Sequence, residues 1–295
     1  MKKLILGILL LAAVGAAAQE LRVEYTEGLV ELAVGGGWKE LAPGDRLAAT
    51  ARIRLSPDGF VELAQGSKRL SVSQPGAYLV GDLLAASKKV ESWKIGQVVS
   101  GKLKGAVAGG PKGDGTAAMG ARGAAAGAPT SVEWVEASGS EEALAEGRSL
   151  MEAGRYDAAL KVLQDALKEA YAGEEGVFYY YIASTYSRQQ KTALALRALE
   201  RAKLEPQEPM YTDLVLLKGQ LLLESLAFGD ALTLFDSQLR MSPEGGFAQA
   251  LLILSSYSHR GLGNGEAARE ALQKAVRLDA SSELGREAAG MLSQL

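Results

Sequence analysis

The chain contains no cysteine and one histidine, His259. The first absence excludes disulfides, thiolate nucleophiles, thiolate metal sites and a lipidated N-terminal cysteine. A single histidine without cysteine also excludes the common zinc spacings, and His259 is read as a packed core imidazole. No Gly-x-Ser-x-Gly elbow is present. Gly109 to Thr116 is rich in glycine but lacks the Gly-Lys-Ser/Thr of a phosphate-cradling loop. The acidic pairs Glu141-Glu142 and Glu174-Glu175 fall at a helix start or in a loop, where carboxylates favour the helix dipole or face water. Excess charge of one sign is lacking too: 32 basic and 35 acidic residues leave a net charge of −3, with no general pull toward nucleic acid or anionic lipid. Beyond the first residues, no run is long and apolar enough for a membrane helix. The expectation is a non-enzymatic protein with no catalytic residue, no cofactor and no metal.

What is present is a globular composition, 47% hydrophobic and 23% charged, with room for two domains of ordinary size. Met1-Lys2-Lys3, the apolar run Leu4 to Val14 and the small-residue exit Ala16-Ala17-Ala18-Gln19 form the pattern of a bacterial secretory signal. It predicts cleavage between Ala18 and Gln19, the alternative being an uncleaved anchor. Loss of Lys2 and Lys3 would move the charge from −3 to −5. Either outcome places the remainder outside the cytoplasm, in the periplasm of the cell envelope, without stable membrane insertion once the signal is removed.

Residues 19–95 read as a small β-domain with a closing helix. Hydrophobes alternate with polar residues at Val30, Leu32 and Val34, at Ala51, Ile53 and Leu55, at Val61 and Leu63, and at Leu70 and Val72. One-sided burial of this kind belongs to antiparallel strands. Phe60, Glu62, Arg69, Ser71 and Ser73 are then expected to face outward. Turn chemistry separates the strands at Gly35-Gly36-Gly37, Ala42 to Asp45, Ser56 to Gly59, Gln65 to Ser67 and Gln74 to Gly76. These strands predict a small antiparallel β-sandwich or β-roll. Trp38 is read as a hairpin-edge ring covering the core rather than a glycan-stacking platform, and Asp45 as an Asx-type turn rather than a cation ligand. Leu83, Ala86, Val90 and Trp93 share a helical stripe over Asp82 to Trp93, with Asp82 as N-cap. The turns and strands Gly28 to Glu31, Trp38 to Leu41, Pro43 to Leu47, Ile53 to Ser56, Asp58-Gly59, Val61 to Leu63 and Leu70 to Val72 resemble the FecR-type extracytoplasmic domain. That resemblance implies the fold and an envelope location, not transcriptional signalling.

Residues 96–139 are mostly glycine, alanine and other small residues, a composition that predicts a flexible linker. Within it, Met119 to Ala124 resembles a short segment that often follows FecR-type domains. Val132 to Val135 is open between a docking strand and a loose lead-in.

Residues 140–295 repeat themselves. An alanine in the same setting recurs at Ala159, Ala195, Ala231 and Ala268, at spacings of 36, 36 and 37 residues. That period marks stacked helical hairpins, in which each unit packs on its neighbours and leaves one face free. The small and bulky positions align as four units: Gly147, Leu150, Gly154, Tyr156, Ala159, Leu163 and Ala166; Ala183, Tyr186, Ala195, Leu199 and Ala202; Gly219, Leu222, Phe228, Ala231 and Phe235; Ser256, His259, Gly263, Ala268, Leu272 and Ala275. They resemble tetratricopeptide (TPR) repeats, with departures at Gln190, Thr192 and Gln238. Ser282 to Leu295, with Leu284, Ala288, Met291 and Leu292 on one stripe, predicts a capping helix. The whole is expected to be a multidomain β + α protein: a FecR-like sheet domain, a linker, and an all-α TPR superhelix of four hairpins and a cap.

The TPR resemblance implies a concave face lined by the first helix of each hairpin. It places Arg148, Glu152, Tyr180, Ser184, Arg188, Gln220, Glu224, Tyr257 and Arg260 there as a partner-binding groove. Arg148, Arg188 and Arg260 would form a broken basic row suited to a peptide carboxylate or an acidic segment; the plainer alternative is a solvated helix face. Four consecutive aromatics, Phe178 to Tyr181, cannot share one face, so most are assigned to the core. The function expected is an envelope scaffold for a protein or peptide partner, with no nucleic acid. The alternative is a cell-wall glycan-binding module acting through the β-domain, with the repeats serving homo-oligomerisation.

Overall fold

The computed structural model describes residues 20–66, 68–103, 139–171 and 173–295. The secretory signal, most of the predicted linker and the alternatives for Val132 to Val135 lie outside the described residues. The N-terminal part forms β1 (Leu21–Glu27), β2 (Val30–Val34), β3 (Gly37–Glu40), β4 (Arg46–Leu47), β5 (Arg52–Leu55), β6 (Phe60–Gln65), β7 (Lys68–Val72) and β8 (Gly76–Leu79). They make two antiparallel four-stranded sheets, ordered β4-β1-β6-β7 and β3-β2-β5-β8. Val34 pairs with Gly37 across a two-residue turn. Gly35 and Gly36 take φ of 57° and 87° there, a left-handed pair that side chains resist.

Leu21, Val23, Val61, Leu63, Leu70 and Val72 from one sheet and Val30, Ile53 and Leu55 from the other are all buried in one continuous apolar cluster. Two details depart from the alternation. Val34 is 55% exposed, because β2 runs out of the core toward its turn. Phe60, Glu62 and Ser71, expected outward, are buried, because the outer face of β6 and β7 is itself covered by the helical half of the chain.

Helix α1 (Val80–Ser92) begins two residues before the predicted start. Asp82 sits in its first turn, and the N-cap is Leu79 without a side-chain bond. The chain then continues as α2 (Ile95–Gln97) and a π-helical turn, Val98–Leu103. Ile95, Val98, Val99 and Leu103 are buried. Glycine content assigns 96–103 to the linker, whereas its apolar spacing packs it against the repeats.

The C-terminal half is a TPR-like stack of antiparallel hairpins: α3 (Gly139–Glu152) with α4 (Tyr156–Glu169), α5 (Glu175–Arg188) with α6 (Thr192–Arg201), α7 (Tyr211–Glu224) with α8 (Phe228–Met241), and α9 (Gly245–Gly261) with α10 (Gly265–Leu278). Ala159, Ala195, Ala231 and Ala268 are all fully buried, where any larger side chain would force the paired helices apart. The same closeness holds in the first helices. A Cβ on Gly219 would lie 2.3 Å from the Phe235 ring, and one on Gly147 would lie 2.6 Å from Leu163.

Each hairpin turns the same way. Gly154, Gln190, Leu226 and Gly263 all have positive φ. The next residue's N–H returns to a carbonyl five positions back in every case: Arg155 to Leu150, Lys191 to Tyr186, Ala227 to Leu222 and Asn264 to His259, at 2.8–2.9 Å. This is the Schellman closure of a helix C-terminus. Gln190 and Leu226 adopt it without being glycine, at about 1 kcal/mol or more of left-handed strain each. The departure at Gln238 is also resolved, since its buried amide oxygen accepts from the Tyr211 hydroxyl at 3.0 Å.

The cap α11 (Glu283–Leu292) buries Leu284 and Ala288. Ser282 is its N-cap, accepting from Gly285 N at 2.9 Å and donating to Gln249 Oε1 at 2.9 Å. The buried Gln249 in turn donates to the Ala275 and Asp279 carbonyls, tying the cap to the last hairpin. Ser282→Ala is expected to cost about 1 kcal/mol, read as a lowered melting temperature; an unchanged value would show that the cap is held by its apolar face alone.

Candidate partner-binding groove

The nine residues assigned to the groove come from α3, α5, α7 and α9, at spacings of three and four that put each set on one helix face. Arg148, Glu152, Tyr180, Ser184, Arg188 and Gln220 converge on a single cavity of about 440 Å³, closed on one side by Gly96. Arg188 and Gln220 also border a neighbouring cavity of about 560 Å³, which adds Glu224 and takes Lys68, Arg69 and Lys94 from the β-domain side. Tyr257 and Arg260 are separated from this set. They line a third hollow with Trp93, Lys94 and Glu287.

The separation has a cause in this chain's own connector. Trp93 is 8% exposed. Its ring lies 5.4 Å from Tyr257 and 6.3 Å from Phe228, with the Arg260 guanidinium 5.1 Å over its face. A desolvated aromatic cluster under a cation is among the stronger contacts a surface of this size can make. Lys94 then takes φ 50° and turns the backbone so that Gly96 meets α7. A Cβ on Gly96 would lie 3.0 Å from Gln220 Nε2 and 3.3 Å from Glu224 Oε1. The far half of the concave face is therefore filled by residues 93–103, and the near half is open.

Electrostatics differ along the open half. Gln220 Nε2 donates to Glu224 Oε1 at 2.9 Å; burial nevertheless pushes the Glu224 carboxyl above the ordinary range, with the Gln220 bond opposing. Arg148 is exposed and sits 5.9 Å over the Tyr181 ring. Arg188 is exposed and has no ion pair among the described residues. Phe178 and Tyr180 are buried and Tyr179 and Tyr181 are half-buried against the same core, and Tyr180 borders the open cavity. Burial raises the Tyr257 phenol, Glu287 adds to the rise and Arg260 opposes it.

The β-domain is latched to the array at further points that sequence reasoning missed. Glu62 Oε1 accepts from Ala193 N at 2.9 Å, supplying from another domain the side-chain cap that Lys191 does not give α6. Arg197 Nε donates to Glu27 at 2.8 Å and lies over Tyr25. Thr192, which breaks the repeat pattern, is buried at this contact. A tyrosine or phenylalanine, as at 156 and 228, would hold β6 away; that size reduction is the one sequence signal of the docking.

Three other candidates resolve simply. Trp38 is 40% exposed on β3 and lies under the Arg54 guanidinium at 4.4 Å, so it does not cover the core. Asp45 Oδ2 accepts from Ala42 N at 3.0 Å, a local turn. His259 is not a core residue either. It half-emerges into a cleft of about 640 Å³ with Asp236, Glu270 and Lys274. Burial lowers its imidazole pKa, the two carboxylates opposing, and Nδ1 has no hydrogen-bond partner among the described residues.

No protein-family model matches the chain, and no curated protein matches it. Among solved structures, the chain overlays on MamA (residues 41 to the end) from Desulfovibrio magneticus RS-1 with 17% identity and a TM-score of 0.42, covering 54% of this chain and 93% of that one. YrrB, described as a TPR protein with an unusual peptide-binding site, overlays with 19% identity and a TM-score of 0.41, covering 51% and 74%. The hairpins and their repeated closures, rather than these distant overlays, define the helical architecture.

Proposed function

We propose that this protein is a non-enzymatic scaffold of the cell envelope. It holds a protein or peptide partner on the open half of its hairpin stack, and its own β-domain on the other half. The observation that carries this reading is convergence. Arg148, Glu152, Tyr180, Ser184, Arg188 and Gln220, from three helices, surround one open cavity, with Arg148 and Arg188 exposed and without an ion pair among the described residues. The envelope location is supported by the Met1 to Ala18 pattern, and the FecR-type assignment of the β-domain by the turn and strand residues that resemble that family. A glycan-binding β-domain has less behind it, since Arg54 already covers one face of the Trp38 ring.

The reading is tested by selecting peptides from a random library on the full mature chain and mapping the bound site by hydrogen exchange. Protection is expected on α3, α5 and α7. Binders that protect only other surfaces, or no binders at all, would remove the reading. Cell fractionation tests the location: the chain is expected in the osmotic-shock fraction, and recovery with cytosolic markers would refute export.

A further inference from the structure

The two cavities of the open half are one cleft. They share Gly96, Ser187, Arg188 and Gln220 as a common wall. One end is formed by α3 and α5, the other by β7, the end of α1 and the connector. The seam between the domains therefore runs along the cleft rather than beside it.

Its charge is opposite to that of the chain. The whole protein carries −3, yet the cleft wall contributes Lys68, Arg69, Lys94, Arg148 and Arg188. Three carboxylates face them, Glu91, Glu152 and Glu224. Glu91 is already held by Lys68 at 3.0 Å, and Glu224 is bonded by Gln220. Arg69 reaches Glu24, outside the wall, at 4.0 Å. Lys94, Arg148 and Arg188 have no carboxylate partner among the described residues. Three unpaired cations along a two-lobed trough in an acidic protein repel the chain's own surface and select an anionic guest. The open, elongated shape suits an extended backbone with several carboxylates rather than a single small anion.

Resting on the scaffold reading, we propose that the partner is an acidic, extended peptide segment that crosses the domain seam. It contacts Arg148 and Arg188 on the repeats together with Lys94 on the β-domain side. Recognition then requires the docked β-domain: the repeats supply half of the site.

Two charge-reversal variants of the full chain test this, Arg148→Glu with Arg188→Glu, and Lys94→Glu. Both are first shown to melt with the unaltered protein. The probes are the library-selected peptides, titrated by fluorescence anisotropy at low and high salt, with a single-stranded oligonucleotide of equal charge as the comparison. The expected result is enrichment of Asp and Glu among the binders. Either variant alone should weaken them about tenfold or more, the loss expected when charge-assisted bonds are removed, and salt should weaken them as well. Acid-rich binders weakened only by the repeat-side variant would overturn the shared site. Binders protecting the cleft without acidic enrichment would overturn the acidic partner and leave the scaffold reading standing. Equal binding of the oligonucleotide would replace peptide recognition by generic polyanion capture. An absence of any footprint in the groove would remove both readings.

Discussion

Replacing Trp93 by alanine is expected to cost about 3–5 kcal/mol, the range for a buried large aromatic, and to turn one cooperative unfolding transition into two. The indole is gripped by Phe228 and Tyr257 on the repeats and capped by Arg260, while its backbone ends the helix that closes the β-domain. Removing it leaves a void in the apolar cluster that the two halves share. Each half has its own core, so loss of the shared contact should let them melt separately. Calorimetry on the full chain reads the split directly, and Trp93→Phe should restore most of the single transition. One unshifted peak for Trp93→Ala would mean that the remaining contacts, Glu62 to Ala193 and Arg197 to Glu27, suffice to hold the halves together.

The hairpin array was legible because close backbone approach demands small residues at fixed intervals, and side-chain size is written in the sequence. Ala159, Ala195, Ala231 and Ala268 carry that signal without ambiguity. The turns were legible only where glycine filled them. At Gln190 and Leu226 the left-handed conformation is imposed by the returning N–H bonds of the Schellman closure, so residue identity gives no warning. The TPR resemblance places the groove residues, and their spacing of three and four keeps each set on one helix face. Their division was not foreseeable, because it depends on where a segment distant in sequence comes to rest. In the connector, glycine count obscured a usable pattern: Ile95, Val98, Val99 and Leu103 recur at intervals of one to four, as a short buried helical segment requires.

Glu62 shows the limit from the other side. Alternation places it on the outer face of β6, and that outer face is covered by the repeats rather than by water. Which surface of a small domain is covered by another domain is a tertiary outcome that no local period encodes. What the sequence did hold was the small residue Thr192 where the repeat pattern expects an aromatic, a space for β6 to enter.

That contact yields the second large effect. Glu62→Ala should cost about 1–3 kcal/mol, since it leaves the first N–H groups of α6 buried without an acceptor. Glu62→Gln keeps an acceptor and removes the charge, so it separates hydrogen bonding from titration. Burial pushes the Glu62 carboxyl above its ordinary range, against the N–H groups of Ala193 and Thr192 and the Arg69 charge, with Glu24 adding to the rise. A folded-state pKa above the unfolded value means that the native protein binds the proton more tightly. The carboxyl's contribution is then fully present below the unfolded value of about 4.3 and is lost as pH rises through the raised one. The glutamine variant does not titrate there, and Glu224, shifted in the same direction, is common to both proteins and cancels. The melting temperature of Glu62→Gln minus that of the unaltered protein should therefore climb as pH is raised from about 4.5 toward neutrality and then level off. A difference that falls over that window would mean the carboxylate is stabilised by the α6 N-terminus more than it is penalised by burial, and that the latch tightens with ionisation rather than with protonation.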